Sequence, residues 1–202
     1  MSKYNYNMSK YNVFFTADTH FGHANIVRYI PRPFQTVDEM NEELIKRWNK
    51  KVGKKDMVYH LGDFCFKSKY YGSRNSKWTF QDYLEQLNGT VILFEGNHDP
   101  PNVDGYPLWR DAVIQTKIGA VYCSHQPGMG VPMDIKKLFH GHAHLHGPVV
   151  KIDRWNKTFV DVGVDHHDYY PVTIDEISIL IKNFKKYHKA KRDDAVLVGE
   201  NK

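Results

Sequence analysis

Residues 13–23 have the sequence VFFTADTHFGH, a short apolar run that ends abruptly in polar side chains. An apolar run of about five residues bounded in this way is typical of a strand buried on both faces. Asp18 and His20 follow where the strand ends, so its carboxyl end presents a carboxylate and an imidazole. Because these two residues alternate on an extended segment, both can face one ligand only if the chain turns, and Gly22 permits that turn. The stretch therefore predicts a buried strand that delivers metal ligands.

The same arrangement recurs along the chain at other predicted strand ends. The further blocks are Gly62-Asp63, Gly96-Asn97-His98-Asp99, His125 and Gly141-His142-Ala143-His144. Each block offers an oxygen or imidazole ligand beside a glycine or at a strand-to-loop junction. Together they supply enough ligands for two adjacent divalent cations. A pair of metals about 3.5–4 Å apart is a recognised device for attacking a phosphate ester.

Apolar runs and helical spacings predict the remaining elements. Strands are predicted at 56–61, 90–94, 112–116, 120–124, 137–140 and 158–162. Helices are predicted after Thr36 and Thr173, where TVDE and TIDE have the form of a capping box, and after Thr79. Strands that alternate with helices early and cluster late favour two layered sheets with outer helices. Long loops at 66–77 and 126–135 are expected to rim the site.

The ordered blocks resemble the calcineurin-like metallophosphoesterase superfamily, and the match runs from Asp18 to His144. A single Gly-Asp or an isolated histidine is common, but all the blocks in order after apolar strands are a specific signal. The first block, continued to His23, is similar to small single-domain bacterial and phage members. The resemblance implies an α/β fold of four layers, an αββα sandwich in which helices flank two mixed β-sheets.

The resemblance also implies a ligand for each position of a dinuclear centre. The implied ligands are Asp18, His20 and His144 for the first metal, Asn97, His125 and His142 for the second, and Asp63 between them. A carboxylate suits the bridging position because its two oxygens can bind two cations while its charge offsets theirs. His98 is expected to act outside the metal shell, steadying charge on the phosphate or protonating the leaving oxygen. A supporting hydrogen bond to the ligands is the alternative role for His98.

A second group of residues is expected to contact the substrate. Arg28 could grip a phosphate through two nitrogens, and an exposed arginine on a short helical turn is the alternative. His23 is close to the first block through the Gly22 turn, and Asn97 is expected to serve the substrate as well as a metal. Further along, Asp165 and the two histidines after it follow a strand and could reach the rim of the site.

One departure from the superfamily pattern bears on specificity. In the phosphoprotein phosphatase branch, the Gly-Asp block continues into an Asp-Arg-Gly segment whose Asp supports the catalytic histidine. Here the block continues as Phe64-Cys65-Phe66-Lys67, so Phe66 stands at that Asp position and no Arg follows it. This argues against a protein phosphatase. It also leaves open which residue orients His98, for which Asp99 is one candidate.

Composition is that of a single globular domain. A chain of 202 residues with 41% hydrophobic and 25% charged residues is ordinary for a soluble protein, and no apolar run approaches membrane-spanning length. The segment Met1–Asn5 recurs as Met8–Asn12, so residues 1–12 are expected to be a disordered or duplicated start. The metallophosphoesterase domain is then expected at 13–187, with a basic and polar tail at 188–202.

Charge and cysteine usage indicate the kind of partner and the compartment. A net charge of +5 favours an anionic phosphate-ester substrate such as a nucleotide or a nucleic acid, with no membrane partner. Much of the excess lies near the end of the chain, where a solvated helix face is the preferred interpretation and a polynucleotide footprint the alternative. Cys65 and Cys123 indicate two buried thiols in a reducing compartment, and hence the cytoplasm (that of the host for a phage protein). A disulfide is the alternative.

We therefore predict a dinuclear metal-dependent phosphoesterase that hydrolyses phosphodiester or nucleotide phosphate bonds through metal-held hydroxide. Mn²⁺ is the expected cation, and Fe, Zn²⁺ or Ni²⁺ would also suit mixed His, Asp and Asn ligands. The alternatives are a phosphomonoesterase for small phosphorylated metabolites and an inactive metal-binding interaction module. Asp63, Asn97 and His98 favour an enzyme, because a scaffold has no chemical need of them.

Overall fold

The computed structural model describes residues 11–66, 78–99, 105–128 and 130–199. Nearly all of the predicted duplicated start and of the loop predicted at 66–77 lies outside these residues. The strands are β1 Val13–Thr16, β2 Met57–His60, β3 Thr90–Leu93, β4 Asp111–Thr116, β5 Gly119–Ser124, β6 Lys137–His140, β7 Val150–Ile152, β8 Thr158–Asp161 and β9 Val172–Thr173. The helices are α1 Ile26–Tyr29, α2 Val37–Lys51, α3 Phe80–Gln86 and α4 Ile174–Gly199, with short 3-10 turns at His144–His146 and Val164–His166.

Two mixed sheets organise these strands. The first has the order β3-β2-β1-β9, with β1, β2 and β3 parallel and β9 antiparallel to β1. The second has the order β4-β5-β6-β8-β7, with β5, β6 and β8 parallel. Parallel strands end at a common edge, and a bridge between Ala17 and Gly163 joins the edges of the two sheets. Every predicted ligand block follows one of these parallel strands, so all of them meet along that edge.

Alternation along β1 shows how the layers are held together. Phe14 packs on one side with α2 and α3 residues such as Trp48 and Tyr83. Phe15 points the other way, between the sheets, where its ring lies 5.5 Å from that of Tyr59 and 5.0 Å from that of Phe139. Full burial of one such ring stabilises the fold by roughly 1.5–3 kcal/mol. The predicted α/β fold of two mixed sheets with flanking helices is confirmed.

The helix starts follow the predicted capping chemistry with one difference. Thr173 and Glu176 bond reciprocally at the start of α4, as a capping box requires. At α2, Thr36 accepts from the N–H of Glu39, but the Glu39 carboxylate accepts from Gln35, one residue earlier than a capping box. Helix α4 continues to Gly199, so the backbone past residue 187, where a tail is predicted, is helical.

The cysteines and the helices bear on the predicted surroundings of the protein. Cys65 and Cys123 are both buried and are not joined by a disulfide, as the preferred interpretation of the sequence expects. Of the helices within the described residues, none combines the length and apolar character needed to cross a membrane.

Candidate metal centre

The predicted ligands sit on tight turns just beyond the strands. Asp18 (φ 59°), His20 (φ 52°), Asp63 (φ 55°), His142 (φ 69°) and His144 (φ 46°) all have left-handed backbone. For residues other than glycine such conformations cost about 1–3 kcal/mol each and persist where the surroundings enforce them. Gly22, which is predicted to permit the first turn, is itself left-handed (φ 74°), and Asp18 and His20 share the bend. These left-handed turns direct the side chains of residues two apart, such as Asp18 and His20, toward the same space.

The structure gathers the predicted ligands into two groups. One contains Asp18, His20 and His144, and the other contains Asp63, His125 and His142, with the ligand atoms of each group within 4.8 Å of one another. The amide oxygen of Asn97 lies 2.9 Å from Nε2 of His125, beside the second group. The residues therefore divide between two positions in the way the resemblance implies.

Asp63 lies between the two groups. Its Oδ2 atom is 3.4 Å from Nε2 of His20, in the first group, and 3.5 Å from Nε2 of His125, in the second. Its other oxygen accepts a 2.8 Å hydrogen bond from the backbone N–H of His98. One oxygen is thus held by the backbone while the other faces both groups.

Unpaired buried atoms test whether this site fits cations. Both ring nitrogens of His20 and Oδ2 of Asp63 are buried and have no hydrogen-bond partner among the described residues. A buried polar atom without a partner costs about 1–3 kcal/mol, so native proteins leave few of them. Imidazole nitrogens and carboxylate oxygens around one space are a suitable donor set for borderline divalent cations. The residues present therefore fit two metal ions.

Burial and mutual contact set the charges of the site. Burial raises the pKa of Asp18 to about 7, against the opposing effect of nearby His125 and His144. Burial would lower the pKa of His125, but its contact with Asp63 outweighs this and raises the pKa to about 9. Burial would raise the pKa of Asp63, yet His125, His20 and the His98 N–H hold it well below its ordinary value. Without a bound cation, Asp18 below about pH 7 and His125 below about pH 9 thus hold protons that a cation has to displace.

His98 occupies the open side of the centre. Its side chain is exposed, and its ring centroid lies 5.2 Å from that of His20, 5.8 Å from His23 and 5.7 Å from Phe66. No hydrogen bond links the ring to another described residue. Edge-on and tilted contacts with these rings, rather than a carboxylate, limit its orientation.

Asp99 does not orient His98, so that candidate is wrong. Its Oδ1 accepts from the backbone N–H groups of Phe64 and Cys65, and its Oδ2 accepts from those of Asp63 and Gly96. Both oxygens are therefore committed to the two loops that carry Asp63 and Asn97.

The two residues predicted to bind substrate differ in position. His23 is buried and stacks on Phe66 with ring centroids 3.8 Å apart, and its ring lies 5.4 Å from that of His20. Arg28 is exposed on α1, and no side-chain hydrogen bond or ion pair connects it to another described residue. His23 therefore borders the first group, whereas the structure brings no contact between Arg28 and the ligands. Both substrate roles stay predictions.

Sequence reasoning missed two buried residues and misplaced a third. Arg32 and Asp161 are 5% and 0% exposed, and neither belongs to a recognisable motif. Asp165 could reach the rim by its place in the sequence, but its side chain is fully buried and contacts His144 from the 3-10 turn at Val164–His166. Arg32 and Asp165 are 133 residues apart in the chain, so no local spacing indicates their contact.

A recess opens beside the second group. It has a volume of about 460 Å³ and is lined by Asn97 and His125 at one end and by Arg110, Asp111 and Tyr122 elsewhere. Gln126 and Gly130 belong to its wall, so the loop predicted at 126–135 does border the site. The recess has the size of an ordinary small-molecule pocket.

The chain was compared with known protein families and proteins. A family model of calcineurin-like phosphoesterases matches residues 11–199. The chain is 34% identical over 180 residues to the uncharacterized protein MJ1445 of Methanocaldococcus jannaschii, covering 88% of this chain and 96% of that protein. It is 25% identical over 209 residues to the gene 66 protein of Mycobacterium phage D29, covering 87% and 98%. The chain belongs to the calcineurin-like phosphoesterase family.

A solved structure gives the same result for the fold. The protein of unknown function AQ665 from Aquifex aeolicus matches 85% of this chain and 100% of its own, with a TM-score of 0.61 and 23% identity. At that identity the likeness supports the shared fold alone.

Proposed function

We propose that this protein is a phosphodiesterase that uses two divalent cations, Mn²⁺ in the first instance, to hydrolyse small phosphodiesters or nucleotides in the cytoplasm. The observation that supports this most strongly is the position of Asp63 Oδ2. It is buried, has no hydrogen-bond partner among the described residues, and lies within 3.5 Å of an imidazole from each ligand group. Two cations bound there would supply a hydroxide nucleophile near neutral pH and would neutralise phosphate oxygens.

The residues of the chain would then divide the work. Asp63 would hold both cations, and its second oxygen is anchored by the His98 N–H. The exposed His98 ring stands beside the site with no competing carboxylate among its described contacts, so it is available to donate a proton to the leaving oxygen. Asn97 contributes a neutral oxygen that needs no deprotonation.

Two features favour a small diester over a phosphoprotein. The recess beside Asn97 and His125 can take an ester arm of nucleoside size, and its wall carries Arg110 as well as the Asp111 carboxylate. Phe66 stacks on His23 where the protein phosphatase branch has an acid followed by an arginine. An aromatic wall and a recess of this volume suit small organic groups better than an extended peptide.

The test is a comparison of wild type with Asp63→Asn, using Mn²⁺ and bis(p-nitrophenyl) phosphate. A neutral amide lacks the negative charge that offsets two cations, so we expect the variant to lose metal content and turnover together. Asp168→Asn, which changes an exposed carboxylate, is the matched control and should keep both. Full metal content with near-normal turnover in Asp63→Asn would contradict the assignment.

Substrate choice is measured in the same experiment with p-nitrophenyl phosphate and a phosphopeptide. We expect kcat/KM to be highest for the diester and poor for the phosphopeptide. A preference for the monoester would favour the phosphomonoesterase alternative. Metal binding without turnover of any ester would favour the inactive interaction module.

A further inference from the structure

We infer that Arg32 and Asp165 form a buried clamp that positions His144 and the Asp18 turn for the first metal. The inference rests on the proposed function only in taking His144 as a metal ligand. Arg32 precedes α2, and Asp165 lies on the 3-10 turn after β8, 133 residues away. The pair lies directly beneath the first ligand group.

The contact between the two side chains is bidentate and fully buried. Nε and Nη2 of Arg32 donate to Oδ1 and Oδ2 of Asp165 at 2.8 and 3.0 Å, and both side chains are 0% exposed. Planar pairing of this kind fixes direction as well as charge, and a lysine ammonium cannot reproduce it. A fully buried ion pair is weak evidence for stability, because desolvation offsets its attraction. Its geometry is better explained by what it holds in place.

Asp165 passes this orientation on to His144. Its Oδ2 lies 2.8 Å from Nδ1 of His144. Because a carboxylate only accepts, Nδ1 of His144 must carry the proton, which leaves the lone pair of Nε2 for the cation. Partners of this kind fix both the tautomer and the ring orientation of a metal-binding histidine.

Arg32 also donates hydrogen bonds to the backbone of the turn that carries Asp18 and His20. Nη2 donates to the backbone oxygen of Asp18 at 2.7 Å, and Nη1 donates to that of Thr19 at 3.0 Å. These carbonyls lie within the left-handed turn that aims Asp18 and His20. Through Asp165, the guanidinium therefore links the chain segment of Asp18 and His20 to that of His144. The second group has no contact with Arg32 or Asp165 among the hydrogen bonds of the described residues.

The inference predicts a site-selective loss of metal affinity. In Arg32→Lys and in the charge-neutral double variant Arg32→Gln/Asp165→Asn, affinity at the first site should fall about 10–100-fold, the range typical for such supporting partners. Affinity at the second site should stay at the wild-type value. Titration of the metal-free protein with Mn²⁺ against a chelating dye measures both steps, and near-UV circular dichroism checks that each variant is folded.

Arg47→Gln is the matched control. Arg47 also pairs with an aspartate, Asp168, at 3.0 Å and bonds its backbone oxygen, but the carboxylate is exposed and neither residue touches a ligand. This variant should bind both metals as wild type does. A folded double variant that binds the first cation with wild-type affinity would overturn the clamp.

A measurement on the unmodified protein covers the case in which the variants fail to fold. With ¹⁵N-labelled histidine and Zn²⁺, the ring nitrogens of His144 should show Nδ1 protonated and Nε2 bound to metal. Metal on Nδ1 would overturn the inference, since that nitrogen is assigned to Asp165. If the wild-type protein binds two cations but hydrolyses no phosphoester, the proposed function is wrong. The ring nitrogen of His144 that binds the metal still decides whether the clamp is correct.

Discussion

Replacing Gly96 with alanine should dismantle the metal centre, because no room exists for a side chain at that position. A Cβ atom added to Gly96 would lie 2.0 Å from the backbone nitrogen of Asp63 and 2.3 Å from its Oδ1. Real Cβ atoms essentially never come closer than 3.0 Å to such atoms. The Asp63 loop or the Gly96 loop must therefore move by about 1 Å, the difference between 3.0 and 2.0 Å.

A displacement of that size exceeds what the site can absorb. Metal–ligand distances vary by only about 0.2 Å, so a bridging carboxylate moved by about 1 Å cannot hold both cations. Misplacement by about 1 Å can by itself cost about 10²-fold in rate. Overpacking of this kind also destabilises a fold by about 1–3 kcal/mol, a cost small enough to leave the protein folded. We therefore expect Gly96→Ala to be folded, to bind fewer than two cations, and to lose at least about 10²-fold in kcat/KM.

Elemental analysis, urea unfolding and diester hydrolysis with Mn²⁺ measure the three expectations separately. Gly147→Ala is the control, because an added Cβ there would meet its nearest neighbour, Cβ of Ala143, at 3.3 Å, which a small shift relieves. The reasoning is refuted if Gly96→Ala retains two cations and turns over the diester within about threefold of wild type.

Two further predictions concern proton transfer and pH. His98→Ala should keep both metals and lose about 10²–10⁴-fold in kcat, with a smaller loss on a nitrophenyl ester than on an alkyl ester, because a good leaving group needs less protonation. An equal loss on both esters would indicate charge stabilisation instead. Metal affinity should rise with pH, since Asp18 (pKa about 7) and His125 (pKa about 9) must lose protons to bind. Calorimetry in buffers of different ionisation enthalpy should find that fewer protons are released on metal binding as the pH rises through 7 and then through 9. Affinity independent of pH would contradict this assignment.

The strands that carry ligands were predictable because their local signals agree. Each is a short apolar run that stops at a glycine, an acid or a histidine, and the run from 137 to 140 coincides with β6 in the structure. The missed strands are the shortest ones. Val150–Ile152 has a lysine at its centre and Val172–Thr173 has only two residues, so neither carries a periodic pattern. Their strand conformation depends on pairing with β8 and β1.

The candidate site divides in the same way. Its ligands are strand-end residues of the right chemical type, which a sequence displays, and the resemblance supplied their grouping. The supporting residues escaped prediction because their function lies in contacts across the fold. Asp99 illustrates this: its neighbour in sequence is His98, but its carboxylate bonds the backbone of residues 63–65 and 96.

The sequence by itself determined where the buried strands end and which metal-binding side chains follow each of them, because burial and residue type are local properties. Only the tertiary structure decided that Asp18 and His144 share one position and that His125 and His142 share the other. That division depends on parallel pairing, which brings distant strand ends to one edge, and on left-handed turns that aim each side chain. Arg32 and Asp165 reach these turns from 133 residues apart. Hydrogen bonds between residues so far apart in the chain cannot be predicted from the spacing of neighbouring residues, since they arise from the packing of the two sheets.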